Sequence, residues 1–296
     1  MCLTLGKASL SNTILYGAEV KRPDGQVVHA LGYQNTAQSL AGRRTGGHSG
    51  NAMMFGVPAI PGSMGRDNII NTEHFPHILE DMARAVTPVT RGEASFSYER
   101  GSKGILSPRV EVFQVGIYHL VLAEYATEDA IREALKQVPE EKRPPLKTDI
   151  FGALSKWYPD WAFLMFCFNN RGAARAHPAL LWYEPSDPGE LFLPALDCHT
   201  GEVPDLDQLV TVDHTVAVGS YQMKEGPAVA RVNYTDVAAM SQAVRPLLLP
   251  QVVGLPLTDV PRTINGDFYV NLDRLQKESR LNLERRSPLG ESENWF

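Results

Sequence analysis

The chain has 296 residues, 43% hydrophobic and 21% charged, a mixture able to bury a substantial core and falling between one large domain and two small ones. Its formal charge of −6 opposes a nucleic-acid partner, because phosphate binding needs a basic face, and no long lysine or arginine block supplies one. The start, MCLTLGKASLSNTILYG, places its one positive charge at Lys7 inside the apolar stretch, unlike a secretory signal, and no run approaches a membrane span, so a cytoplasmic protein without a membrane partner is expected.

In chain order, Thr13 to Val20 and Gln26 to Gln34 are β-compatible runs. They are joined by Lys21-Arg22-Pro23-Asp24-Gly25, where proline presets a turn and Asp-Gly offers a positive-φ position, so a hairpin is predicted. Gly42 to Asn51 is too glycine-rich for regular structure and has the composition of a lid. Asn51 to Ile60 resumes as an apolar strand that Pro61-Gly62-Ser63-Met64-Gly65 breaks. A short helix is expected within Asn71 to Val86, with Ile78, Leu79, Met82 and Ala85 on one side.

Glu111 to Ala123 (EVFQVGIYHLVLA) reads as one strand, rich in β-branched and aromatic residues. Glu128 to Val138 is the clearest helix: Thr127 caps it, Glu128 and Asp129 suit its positive end, and Pro139 stops it. Strands return at Ala162–Phe168, Ala179–Glu184, Leu191–Leu196 and Val210–Tyr221, and Asp236 to Val244 looks helical. Strand groups with few helices between them favour antiparallel or mixed sheets. The expectation is one α+β domain over residues 1–270, then a charged C-terminal tail over 271–296, either a surface helix or disordered.

Three cysteines, Cys2, Cys167 and Cys198, form an odd set without CxxC spacing, which opposes a disulfide framework and a cysteine zinc site. Cys167 lies in an apolar run and reads as a small buried hydrophobe, leaving Cys2 and Cys198 for chemistry. Removal of Met1 would place the Cys2 thiol and a free α-amine on one carbon. An amine of pKa roughly 7.7–8.0 can serve as base to that thiol.

Met1-Cys2, the strand-like entry after it and the early hairpin resemble the cysteine branch of the N-terminal-nucleophile hydrolases, with Leu3-Thr4 departing from the glycine that amidotransferases usually carry there. The resemblance covers little more than the first tenth of the chain. It implies a layered, αββα-like sandwich of mostly antiparallel sheets. It also implies a hydrolase that cleaves a small amide or peptide-like C–N bond with Cys2 as nucleophile, and no cofactor.

Such chemistry needs donors for the oxyanion, and Asn169 and Asn170, at the end of the most apolar strand, are the candidates. Arg66 and Arg171 are the candidate binders of an anionic substrate group, with the Pro61–Asn68 loop offering backbone N–H groups. Two other readings stand beside the hydrolase. One is a non-enzymatic binding or regulatory protein whose glycine-rich loops and tail contact a partner. The other is a metal-dependent enzyme centred on Asp197, His199 and His214, in which Asp197 and His199, two apart on a strand, share a face. His74 and His77, three apart, suit one helix face. Self-association is compatible with each reading.

Overall fold

The predicted hairpin at Thr13–Gln34 is the spine of the fold and is longer than the sequence suggests. Strand β1 spans Leu3–Thr4, β2 Ala8–Lys21, β3 Val27–Ser39, β4 Asn51–Val57 and β5 Ile69–Ile70, followed by helix α1 at Ile78–Val86. Then come β6 (Arg109–Val115), β7 (Tyr118–Glu124), α2 (Glu128–Leu135), α3 (Thr148–Trp157), β8 (Ala162–Phe168), β9 (Ala174–Arg175), β10 (Ala179–Tyr183) and β11 (Glu190–Leu193). The chain closes with β12 (Thr215–Ser220), β13 (Ala230–Arg231), β14 (Gln251–Pro256), β15 (Asp267–Asn271), α4 (Leu272–Glu278), β16 (Leu283–Arg286) and β17 (Ser292–Asn294). This is a computed structural model, and it describes residues 3–40, 50–87, 109–115, 118–124, 128–169, 172–235, 240, 243–258 and 262–295.

The protein is mostly β, with three mainly antiparallel sheets and four helices among the described residues. The first sheet has the order β1-β4-β8-β7-β6; the second runs β13-β14-β12-β2-β3-β10-β5, with β9 added to β3; the third is β11-β15-β16-β17. Strands β2 and β12 pair in parallel.

Strand alternation decides what each sheet face touches. Leu15, Leu31 and Tyr33 of the second sheet share one core with Met53, Phe55, Leu164 and Phe166 of the first. The next residues along, Tyr16, Ala18 and Ala30, face the other way and pack on Ile78, Leu79 and Met82 of α1. On the outer face of the first sheet, Met54, Val121 and Met165 meet Ile131 and Leu135 of α2 and Ile150, Phe151 and Leu154 of α3. Cys167 lies in that cluster fully buried, as its apolar run predicts, and burial pushes its thiol up to about 12.

Several expectations need correcting. Glu111–Ala123 is not one strand: β6 and β7 pair antiparallel, from Arg109↔Glu124 to Val115↔Tyr118. Helix α3 went unread because Gly152 and the prolines before it mask the spacing of Ile150, Phe151 and Leu154. The strand expected over Val210–Tyr221 begins only at Thr215. The helix expected at Asp236–Val244 falls mostly outside the described residues.

Residues 271–296, expected as a charged tail, hold α4, β16 and β17, and β16 pairs with β15. Leu283 and Arg285 turn inward there, while Glu284 and Arg286 turn outward. Arg286 meets Glu190 with both guanidinium nitrogens, at 2.6 and 2.7 Å, and lies over the Tyr269 ring. Charge in this segment therefore marks a strand face and its rim, which composition alone does not distinguish from a solvated tail.

Candidate functional site

The loop Pro61–Asn68 was expected to offer backbone N–H groups to an anionic substrate. It does hold a carboxyl group, and that group is internal. Glu124, at the end of β7 and buried, accepts hydrogen bonds from the N–H groups of Gly62 (3.2 Å) and Met64 (3.3 Å). The Gly65 N–H donates to Asn68 Oδ1 at 2.9 Å, and the Arg66 N–H to Glu111 Oε2 at 3.2 Å. Arg66 itself is exposed, its guanidinium over the Phe113 ring. The loop is thus braced against the β6–β7 hairpin. Glu124→Ala would leave two N–H groups short of their acceptor and should cost about 2 kcal/mol, with faster proteolysis at residues 61–65, while Glu124→Gln, keeping one acceptor, should retain most of the stability. Limited proteolysis with urea unfolding reads both.

The segment from Asp197 to His214 joins some of its predicted residues and separates others. His199 Nε2 stands 3.3 Å from Asp197 Oδ1, as their two-residue spacing suggested. Burial lowers the His199 pKa, against the opposing pull of Asp197 and Asp213. Cys198 points elsewhere: its Sγ is 3.2 Å from Thr200 Oγ1 and donates to the Glu202 carbonyl at 3.3 Å. Asp213 and His214 precede β12 instead of lying on a strand.

Asp213 Oδ2 accepts from the Asn12 N–H at 3.0 Å and so braces the irregularity in β2, where Asn12 has φ 51°. His214 is buried with its ring edge-on to Phe268. Among the described residues no three His, Cys, Asp or Glu side chains converge as a metal would require. His74 and His77 both precede α1 and share no helix face; His77 Nδ1 contacts Glu80 at 3.0 Å.

Cys2, Asn170 and Arg171 lie outside the described residues. Leu3, next to Cys2 in sequence, is buried, pairs with Met54 of β4 and bridges in parallel to Cys198, whose carbonyl accepts from the Thr4 N–H at 2.9 Å. Asn169 follows β8, half-buried.

The polar groups the sequence reading missed are buried carboxylates that hold loops. Asp267 Oδ1 accepts from the N–H groups of Ala195 (2.7 Å) and Leu196 (2.9 Å), and its Oδ2 from the Tyr158 hydroxyl at 2.6 Å. Asp81 on α1 accepts from the Thr235 N–H at 2.7 Å and hydroxyl at 2.9 Å. Glu19 on β2 accepts from Ser220 at 2.6 Å and from Gln276 of α4 at 2.9 Å. Each acid sits beside or inside an apolar run. An isolated carboxylate among hydrophobic neighbours was the available signal, since burial is tolerated only with donors at hand.

Fold and sites together define a mostly β protein whose connecting segments are fixed by interior carboxylates. No protein-family model matches the chain, and no curated protein matches it in sequence. Among solved structures it is similar to the crystal structure of baculovirus P35, at 11% sequence identity and a TM-score of 0.41, over 99% of this chain and 98% of that one. The likeness concerns the course of the chain.

The resemblance to N-terminal-nucleophile hydrolases is corrected accordingly: the structural similarity found is to baculovirus P35. With it go the amide-hydrolase function and the small amide or peptide-like substrate. The match to hydrolases rested on Met1-Cys2 and a hairpin, and a two-stranded hairpin is common to many β folds.

Proposed function

We propose that the chain is a non-enzymatic binding or regulatory protein that presents loops from a rigid β scaffold to a macromolecular partner. The observation that carries this reading is the use made of interior acids. Glu124, Asp267, Asp81 and Glu19 are each buried and each spend their oxygens on holding a loop or helix against a sheet. Carboxylates committed to backbone and hydroxyl donors fix loop shape, and a fixed loop loses little conformational entropy when a partner docks. Helices outside both large sheets, α1 on the second and α2 with α3 on the first, support a layered αββα-like arrangement around that scaffold. Residues 1–270 are read as one domain, with 271–296 completing its third sheet.

The test pairs turnover with stoichiometry. The purified chain is incubated with fluorogenic amides, and in parallel cross-linked in cells, after which the recovered protein is purified and titrated back. A saturable complex of fixed stoichiometry without turnover is expected. Amide cleavage that is linear in time and lost in Cys2→Ala would overturn the reading.

A further inference from the structure

We infer that the outer edge of β14 binds an extended peptide carrying carboxylate side chains, an assignment that rests on the binding reading and names a site for it. Backbone direction comes first. The Leu257 N–H donates to the His214 carbonyl at 2.7 Å, and β12 and β14 pair in continuous antiparallel register from Thr215↔Pro256 to Val218↔Val253. Antiparallel pairing alternates, so Leu255 and Val253 also direct their backbone groups to β12, and Gly254 directs its N–H and C=O the other way.

On that outer side β13 pairs only through Ala230↔Val252 and Arg231↔Gln251. The position opposite Gly254 is Ala228, and no backbone hydrogen bond joins the two among the described residues. Pro256, next outward along the edge, offers a carbonyl and no N–H. One N–H and two carbonyls on this edge are thus without a backbone hydrogen-bond partner among the described residues. Gly254 cannot change, because a Cβ there would lie 1.9 Å from the Val216 oxygen.

The surroundings say what fits. A 480 Å³ groove runs along this edge, lined by Ala228, Val253, Leu255 and Leu281 and by the charged residues Arg274, Glu278 and Arg280 of α4 and its C-terminal side. Arg274 and Glu278 pair with each other at 3.2 Å. That leaves the exposed Arg280 as the groove's unmatched charge among the described residues. An apolar floor, unpaired strand groups and one free guanidinium match an added β-strand bearing a carboxylate.

The probes are capped, fluorescein-labelled hexapeptides of alternating valine and aspartate, the valine–lysine counterpart, and the aspartate peptide N-methylated at alternate residues, read by anisotropy on the full chain. The aspartate peptide is expected to bind at least about tenfold more tightly than the lysine peptide, a difference of about 1.4 kcal/mol. Arg280→Glu should reverse that preference with an unchanged thermal melt. N-methylation should abolish binding, and hydrogen exchange over residues 252–256 should slow in the complex. No binding, equal binding of the two charges, indifference to Arg280→Glu, or an unaffected N-methylated peptide would overturn the assignment. So would a concentration-dependent dimer broken by Arg280→Glu, which would place a second copy in the groove. A cross-linked complex that survives Arg280→Glu would sink the groove and leave the binding reading intact, whereas amide turnover would sink that reading alone.

Discussion

Asp267→Ala is expected to lower the unfolding free energy by about 3–5 kcal/mol, the scale on which removing one member of a buried charged set destabilises a protein. Asp267 is buried, and burial raises its pKa against the pull of the Tyr158 hydroxyl, the Ala195 and Leu196 N–H groups and the nearby Arg285 charge. Arg285 is itself 1% exposed. Burial depresses its pKa to about 10, with Asp267 the first of the acids opposing that shift. Its Nη2 donates to the Ala195 carbonyl at 3.2 Å, and its guanidinium lies 5.0 Å from the Phe268 ring centroid. Alanine at 267 strands two backbone donors, a hydroxyl and a buried cation together. Asp267→Asn keeps an acceptor toward Ala195 and Leu196 but gives up the charge and the oxygen that accepts from the Tyr158 hydroxyl, so a loss smaller than alanine's by about 1 kcal/mol is expected. Urea unfolding at pH 7 separates them, and equal losses in the two variants would refute the role assigned to the acceptor toward Ala195 and Leu196.

The parts of this fold legible from sequence are those where local chemistry and tertiary structure agree. Arg22-Pro23-Asp24-Gly25 turns where it should: the Arg22 N–H bonds the Gln26 carbonyl and Gly25 takes φ 85°. Strand β8 matches its predicted span residue for residue, because an apolar run bounded by Trp161 and Asn169 is buried on both faces. What stayed illegible depends on pairing at long range. Asp213 reads as a catalytic or metal-binding acid beside a histidine, yet its partner is the backbone of Asn12, some two hundred positions away. Glu124 looks like the polar end of a strand until the Gly62 and Met64 N–H groups arrive from another element. Leu283–Arg286 looks like tail because three of its four residues are charged, and only β15 beside it sends Arg285 inside. Cys2 drew the reading toward amide hydrolysis for a related reason: reactivity belongs to a residue type, whereas a site belongs to an arrangement.

The acid limb of stability should be governed in large part by His29. This residue lies on β3 directly opposite Tyr183, with the two rings edge-on at 5.6 Å, and it is 1% exposed. Burial lowers its pKa from 6.5 to about 4, against the weaker opposing effects of the Pro188 carbonyl and the Asp187 charge. Above pH 6.5 the ring is neutral in both the folded and unfolded states and contributes no pH dependence. Between 6.5 and about 4 the unfolded chain takes up a proton that the folded chain refuses, so stability falls as pH falls; below about 4 the contribution levels off. A depression of that size corresponds to about 3 kcal/mol lost across the window.

His199, whose pKa is also lowered, acts with the same sign, while Asp267, whose pKa is raised, acts with the opposite one. Comparison with His29→Phe cancels both, since the phenyl ring keeps the packing and cannot titrate. The stability of the parent relative to His29→Phe should drop by about 3 kcal/mol between pH 7 and pH 4, measured by urea unfolding at half-unit intervals. Parallel curves for the two proteins across that window would mean that a proton reaches the folded ring as readily as the unfolded one, and that the β3–β10 interface around His29 and Tyr183 admits charge.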